Sequence, residues 1–450
     1  MSDELLDLAL EIVGRAEDDQ HLEAFLTHAR TFEVRAYDGE IDSLSSAEPR
    51  GAGVRVISGN RVGFAYTTDL SRAGLDDVVR AAAENSAHAT EDEASGLAQP
   101  SGEPPDEVEG MVAASHGAGP ESKVAFVLDL ERSARSQDPR VKGVEDAVYA
   151  DSDSEVAIAS STGVAGTYRR TDAWCYAVII VGEGDDTQVG FDFGLGRSLS
   201  DLDAGSVAAS AAHRGLRVLG ATKVPSARMP VVFDPYVSGQ FLGVVGHALT
   251  GEAVQKGRSL FAGRLGDKVA ASGLTLVDDG RLPGAPGAAP WDDEGVPTRR
   301  TEVISNGTLR SFLFDTTSAR RQGATSTGNA ARAGFKSVPH ARPSNLTFES
   351  AEQAVDDLLR RAGRALLVQD LHGVHSGANP VSGDFSVGAT GLLLEDGTLG
   401  RPVKEVTIAA PMLEILEGIE AVASDRRWLP FEGSYGGATT LVGEMTVAGE

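Results

Sequence analysis

Three groups of residues carry side chains suited to acid–base or metal chemistry. His247 stands in FLGVVGHALTGEAVQKG, at or near the end of a helical pattern that opens at Asp234. A histidine there either complements the carboxyl end of the helix dipole or offers an imidazole to a metal or a proton. His372 and His375 form an H-x-x-H pair in DLHGVHSGANPVSGDFSVG. The pair can ligate a metal, but nothing nearby fixes a third ligand. Next in the same stretch, Ser382-Gly383-Asp384-Phe385-Ser386 reads as a turn between strands. Asp384 there either caps backbone N–H groups or contacts a substrate. His247, His372 and His375 together would supply three imidazoles, with Asp384 or Glu252 as base, if the fold gathers them. The single cysteine, Cys175, lies in the apolar run WCYAVIIVG and reads as a buried strand residue. One cysteine forms no intrachain disulfide and excludes a two-thiolate zinc site within one chain. There is no G-x-x-x-x-G-K-[ST], H-E-x-x-H, C-x-x-C or G-x-S-x-G. The Gly-rich SYGGATTLVG lacks the strand-to-helix context of a nucleotide cradle.

The elements that must position these residues follow from periodicity. Leu5, Leu8, Ile12 and Val13 form the stripe of an amphipathic helix that Ser2 can cap. TFEVRAYDG, EIDSLSSAEPRG, AGVRVISGN and RVGFAYTTD alternate between turn signals and predict an antiparallel meander. A second helix is predicted from about Ser71 to Ala87, then an acidic, Pro- and Gly-rich loop over 89–121. A helix around Val124–Leu130, strands near Val144–Ala159, Gly166–Val181 and Thr187–Phe193, and a helix over Ala204–Leu219 complete a first domain. GATKVPSARMP has no period and marks a boundary, giving domains of 1–224 and 225–450. After it, MPVVFD reads as a strand, Asp234-Pro235 as N-cap and first helical residue, and Ser350–Gln353 as a capping box. Met412, Ile415, Leu416 and Ile419 mark a late helix. The fold class predicted is α+β: an N-terminal antiparallel sheet flanked by helices, then a strand-rich, barrel-like domain with a few helices.

The 450 residues carry 40 Lys+Arg against 66 Asp+Glu, a net charge of −26, which argues against nucleic-acid or anionic-membrane partners. The amino terminus is acidic from its third residue and shows no signal peptide, and the longest apolar stretch, about Trp174–Gly182, is far short of ~20 residues. A soluble cytoplasmic protein is expected.

Several stretches resemble the TldD/PmbA (TldD/TldE) family. They are PWDDEGVPTRRTEVISNGTLRSFLFDTTSAR (290–320), TSTGNAARAGF (325–335) followed by ARPSNL (341–346), and SGDFSVGATGLLLEDGTLGRPVKEVTIA (382–409). The resemblance extends over essentially the whole chain. It implies two related subunits forming a cytoplasmic peptidase that trims unfolded or modified peptides, including ribosomally made peptide antibiotics. The TldD-type subunit carries H-E-x-x-x-H and a cysteine near the carboxyl end, its glutamate activating a zinc-bound water. The PmbA/TldE-type subunit lacks them and serves as partner. Carried onto this sequence, the metal helix falls on Leu242-Gly243-Val244-Val245-Gly246-His247, where only His247 matches. Leu242 replaces a ligand, Gly243 replaces the base, and the cysteine position falls near Gly433. The resemblance thus implies a non-catalytic PmbA/TldE-type subunit. It has no catalytic residue, metal or cofactor of its own, zinc being in a TldD-type partner. It would hold extended peptide by strand addition. Ser382, Gly383, Asp384 and Phe385 remain a peptide-binding or structural loop. The charge of −26 is then an outer-surface property or a preference for basic peptides. Two alternatives stay open: a self-sufficient metallopeptidase with a rearranged His247/His372/His375 site, and a homo-oligomeric peptide-binding regulator.

Overall fold

A computed structural model describes residues 2–101, 107–113, 117–349, 353–429 and 433–450. The chain opens with α1 (Ser2–Val13), β1 (Gln20–Tyr37), β2 (Glu40–Ala47), β3 (Arg50–Ser58), β4 (Arg61–Thr67) and α2 (Arg72–His88). Then come α3 (Pro120–Ser136), β5 (Val141–Ser160), β6 (Ala165–Glu183), β7 (Asp186–Gly196) and α4 (Ala204–Leu216). The seven strands form one antiparallel sheet in the order β4-β3-β1-β5-β6-β7, with β2 on β1.

Period-two burial explains the two faces. Leu22, Ala24, Leu26, Phe32, Val34 and Ala36 of β1 all join the cores beneath the helices. Leu5 and Ile12 of α1 and Leu75, Val78 and Val79 of α2 cover one half; Val127 and Leu130 of α3 and Val207 of α4 cover the other. Each such Leu, Ile or Val contributes roughly 1.5–3 kcal/mol by leaving water. Close helix–sheet approach requires glycine: a Cβ at Gly63 would sit 1.9 Å from Ala82 O, and one at Gly190 2.0 Å from Ala211 O. Cys175 lies in this core, where burial pushes its thiol up to about 12. Phe25, Val156 and Ile158 point to the opposite face, toward the second half of the chain.

Two expectations are corrected. The first strand is not confined to TFEVRAYDG but begins at Gln20. The predicted meander is broken, because β3 pairs with the first half of β1 while β2 pairs with its second half. An 18-residue strand is long enough to take two short partners on one edge. Helix α2 begins one residue after the expected Ser71, whose hydroxyl accepts from Gly74 N–H at 3.3 Å. The Ser2 side chain and residues 350–352 of the expected Ser350–Gln353 capping box lie outside what the structure describes.

The second half contains β8 (Ala227–Phe233), α5 (Pro235–Ala248), α6 (Gly251–Gln255), β9 (Leu276–Asp279), β10 (Arg300–Ser305), β11 (Thr308–Leu309) and α7 (Thr316–Gln322). It continues with β12 (Ala330–Ala331), β13 (His340–Ala341), β14 (Leu346–Phe348), α8 (Val355–Ala362), β15 (Ala365–His372), α9 (Val374–Gly377) and β16 (Asp384–Glu395). Last come β17 (Thr398–Pro411), α10 (Met412–Glu417), β18 (Ile419–Val422), β19 (Arg427–Leu429), β20 (Tyr435–Gly437) and β21 (Thr440–Ala448). Strands β17-β16-β15-β8-β21 form a barrel closed by pairing of β17 with β21, so the expected barrel-like domain is found. A second sheet runs β11-β10-β9-β14-β20-β19. Helix α5 lies between them. Phe241 stacks on Phe233 and Phe385 of the barrel, and its glycine face meets β19 and β20. No helix among the described residues is long and apolar enough to cross a membrane.

Candidate functional site

Asp234 starts α5 as predicted: its Oδ1 accepts from Val237 N–H at 2.8 Å, with Pro235 in the first turn. Along this helix Leu242 is fully buried in the apolar core. His247 is exposed, and its Nδ1 hydrogen-bonds the Gly243 carbonyl at 2.8 Å. Gly243 faces the ring of Tyr435, which a Cβ at 243 would approach to 3.6 Å. A Cβ at Gly433 would come within 2.8 Å of the same ring. Gly433 also has φ +147°, which side-chain-bearing residues rarely adopt. Positions 243 and 433, far apart in sequence, therefore converge on Tyr435. The ring of this buried tyrosine packs against both positions.

The other predicted residues are placed elsewhere. His372, exposed near the end of β15, hydrogen-bonds Thr390 Oγ1 at 3.0 Å through Nε2. His375 lies exposed on the one-turn helix α9. The rearranged site of His247, His372 and His375 with Asp384 or Glu252 is not assembled. Among the described residues no group of three His, Cys, Asp or Glu can hold a metal. Glu252 pairs instead with Lys256 one turn away. The 382–385 segment is a local turn: Ser382 Oγ donates to Asp384 Oδ2 at 2.6 Å, and Gly383 adopts φ +83°. Its carbonyl accepts from Met412 N–H, while Phe385 is buried edge-on against Phe241.

The feature that sequence reading missed is a cavity of about 1000 Å³ between the open face of the N-terminal sheet and the second half. Phe25, Tyr168 and Trp174 line the sheet side; Trp291, Arg342, Trp428 and Gly433 line the other. The loop carrying position 433 is thus part of the cavity wall. All 3 tryptophans of the chain border this space. They lie in unrelated segments, so no local pattern announces their convergence. Arg342 belongs to ARPSNL, a stretch that contributes to the family resemblance without an assigned role.

A buried charge cluster, of which Arg332 lines the cavity, joins the two halves. Arg55 Nη2 donates to Glu23 at 2.6 Å and to Glu294 at 2.8 Å. Arg332 reaches the other oxygen of Glu23. The Arg55 guanidinium holds the Glu294 carboxyl below its usual range against the opposing effect of burial. The two preceding acids are used locally. Asp292 accepts from Glu294, Val296 and Ala330 N–H, and Asp293 from Arg332 N–H. Burial raises both carboxyls, that of Asp292 further by the charge on Glu294.

Asp278 fixes the loop that carries Arg342. Its Oδ1 accepts from Ser344 and Asn345 N–H at 2.8 and 2.9 Å, and its Oδ2 from Asn329 Nδ2 at 2.7 Å. Burial pushes this carboxyl from 3.8 up to about 6. A carboxyl raised in the folded state holds its proton there after the unfolded chain has lost it. The folded state therefore gains most below about pH 4, and that gain, about 3 kcal/mol, is lost as pH rises through 6. Urea unfolding of the wild type and Asp278→Asn at pH 5 and pH 7.5 is expected to show this. The variant lacks the loss on raising pH, and equal pH dependence in both proteins would refute the assignment.

Three profiles of one family match in order: PmbA/TldA metallopeptidase domain 1 over residues 22–86, the central domain over 115–219 and the C-terminal domain over 226–449. The metalloprotease PmbA of Escherichia coli O157:H7 is 26% identical over 449 residues, covering 100% of this chain and 96% of its own. A metalloprotease TldD homolog of Haemophilus influenzae is 29% identical over 409 residues, 86% of this chain and 82% of its own. A crystal structure from Thermotoga maritima matches with a TM-score of 0.87 at 25% identity over 99% of both chains. TldE from Thermococcus kodakarensis shares the fold with a TM-score of 0.86 at 23% identity, again over 99% of both. The fold is that of a metallopeptidase class. The chain belongs to the PmbA/TldD family.

Proposed function

We propose that this chain is the non-catalytic, TldE-type partner subunit of a heteromeric TldD/TldE-type zinc metallopeptidase acting on unfolded or modified peptides in the cytoplasm. One observation carries the reading. Helix α5 presents buried Leu242 and side-chain-less Gly243 where the family's motif has a ligand and its base, and the ring of Tyr435 stands against Gly243. A leucine has no lone pair for zinc, and a glycine takes no proton from water. The remaining histidine, His247, bonds to its own helix. In this reading zinc and the activated water belong to a TldD-type subunit, while this chain contributes substrate-holding surface. Residues 1–224 and 225–450 act as the two walls of that surface.

The test is reconstitution. The purified chain is expected to hold no stoichiometric zinc by elemental analysis and to leave an unfolded peptide intact. Mixing with a TldD-type subunit is expected to give a co-purifying complex that cleaves the peptide, with zinc on the partner. Zinc-dependent cleavage by the isolated chain would overturn the proposal.

A further inference from the structure

We propose that the cavity between the two halves binds peptide through a carboxylate, and that Arg342 is the residue that receives it. This rests on the reading of the chain as a peptide-holding subunit. The lining of the cavity is richer in arginine, relative to acid, than the chain as a whole. The chain carries −26, yet the described charged residues on the wall are five arginines and three aspartates.

Pairing leaves one guanidinium of the wall, that of Arg342, without a close counter-ion. Arg332 is engaged from behind by Glu23, and Arg427 by Asp192 at 2.8 Å. Arg170 and Arg197 share a single carboxylate, Asp172, at 2.8 and 2.5 Å. Asp292 and Asp293 accept from backbone N–H groups, and the Asp293 carboxyl also feels the charges of Arg332, Arg170 and, without direct contact, Arg342. Arg342 has no ion pair or side-chain hydrogen bond among the described residues, and its Nε is shut off from solvent without a partner. A guanidinium in a partly dry wall is a donor site for a carboxylate, which it can grip through two parallel N–H···O bonds. A basic peptide would meet repulsion there, so the expectation that the negative chain favours basic peptides does not extend to this cavity.

The surroundings suit a peptide. Trp174, Trp291 and Trp428 offer flat apolar surfaces to its side chains. The backbone of Arg342 is held independently of its side chain. Its N–H donates to Asn329 O at 2.9 Å, and its carbonyl accepts from Asn329 Nδ2 at 3.1 Å. The side chain can therefore be changed without releasing the loop. Because every tryptophan of the chain lines the cavity, intrinsic fluorescence reports on this site.

The experiment titrates short Ala/Ser peptides into the full chain, following tryptophan fluorescence and heat. One peptide has a free carboxyl end, one is amidated, and one is amidated with an internal glutamate. The free acid is expected to bind about tenfold or more tighter than the amide, as loss of a charged hydrogen bond implies. In Arg342→Gln the acid falls to the level of the amide; in Arg342→Lys most of the preference survives. The glutamate peptide separates a terminal from a side-chain carboxylate as the group received. Equal binding of acid and amide, binding of neither, or an acid preference that survives Arg342→Gln would overturn the proposal. Zinc content and cleavage with a TldD-type subunit are separate readouts. Their failure would remove the partner-subunit reading while leaving a measured carboxylate preference standing.

Discussion

Arg55→Ala is expected to lower the free energy of unfolding by about 3–5 kcal/mol, the cost of leaving buried charges without their counter-ion. One nitrogen of Arg55 serves both Glu23 and Glu294, and all three side chains are almost wholly shielded from water. Glu23 keeps Arg332, and Glu294 keeps the Thr316 N–H at 2.7 Å, so neither is orphaned outright. What is lost is the charge that offsets burial of two carboxylates. In the wild type Glu294 is held below its usual range, so its stabilising contribution is present at neutral pH and lost as pH falls through its folded value. In Arg55→Ala burial is opposed only by hydrogen bonding from Thr316, the carboxyl is raised, and the sign reverses: the variant regains stability as pH falls. Its deficit is therefore smaller at pH 5 than at pH 8. Arg55→Lys can place one ammonium between the two acids, though its side chain is a bond shorter, and is expected to lose less than half as much. Urea unfolding followed by tryptophan fluorescence checks all three statements. A loss of less than about 1 kcal/mol in Arg55→Ala would mean that the pair is effectively solvated. Because Glu23 also holds Arg332 on the cavity wall, the variant is expected to weaken peptide binding as well as the fold.

The same cluster shows why part of the fold was not legible in the sequence. Leu22, Ala24 and Leu26 alternate as a half-buried strand should, but Glu23 and Arg55 are charges on a face that is also buried. They pair with each other across β1 and β3, but the other members of the cluster are more than two hundred residues away, at 294 and 332, so nothing local reveals how the charges are balanced. The helices of the first half were legible because each shows its stripe to a single sheet, and the start of α5 because Asp234 and Pro235 are adjacent in sequence. The family resemblance put the degenerate motif at positions 242, 243 and 247. It did not reveal that Tyr435 would pack against 243 and 433, because that contact depends on how β20 crosses the glycine face of α5. His372 and His375 attracted attention through their spacing. The strand and the one-turn helix that carry them instead leave them on the surface, away from any third ligand. Arg342 and the three tryptophans lack a common sequence context, and only the meeting of the two halves makes them a site.

Asp234→Ala is expected to cost about 4 kcal/mol, because one carboxylate does two jobs at the joint between α4 and α5. Its Oδ1 caps α5, and its Oδ2 accepts from Arg214 of α4 at 2.7 Å. Arg214 also donates to Gln369 O at 2.7 Å and reaches Asp370 at 3.3 Å. Burial pushes the Asp234 carboxyl up despite the guanidinium beside it, so the ion pair gains little over the cost of drying both groups. Most of the loss in the alanine variant then comes from the buried arginine left without its main counter-ion, and about 1 kcal/mol from the missing cap. Asp234→Asn separates the two, since asparagine caps nearly as well but carries no charge. It is expected to retain the capping share and lose the rest. Adding Arg214→Met to Asp234→Asn removes the stranded charge and is expected to restore more than half of the deficit. If the double variant instead loses the sum of the single losses, the two side chains are not energetically coupled. The joint matters for the site as well as for stability. Arg214 lies over Tyr236, which packs on Phe193, and Phe193 lines the cavity beneath Arg427. Loosening α5 at its first turn therefore reaches the wall that holds peptide, and Asp234→Ala is expected to reduce carboxylate-peptide binding even where the chain remains folded.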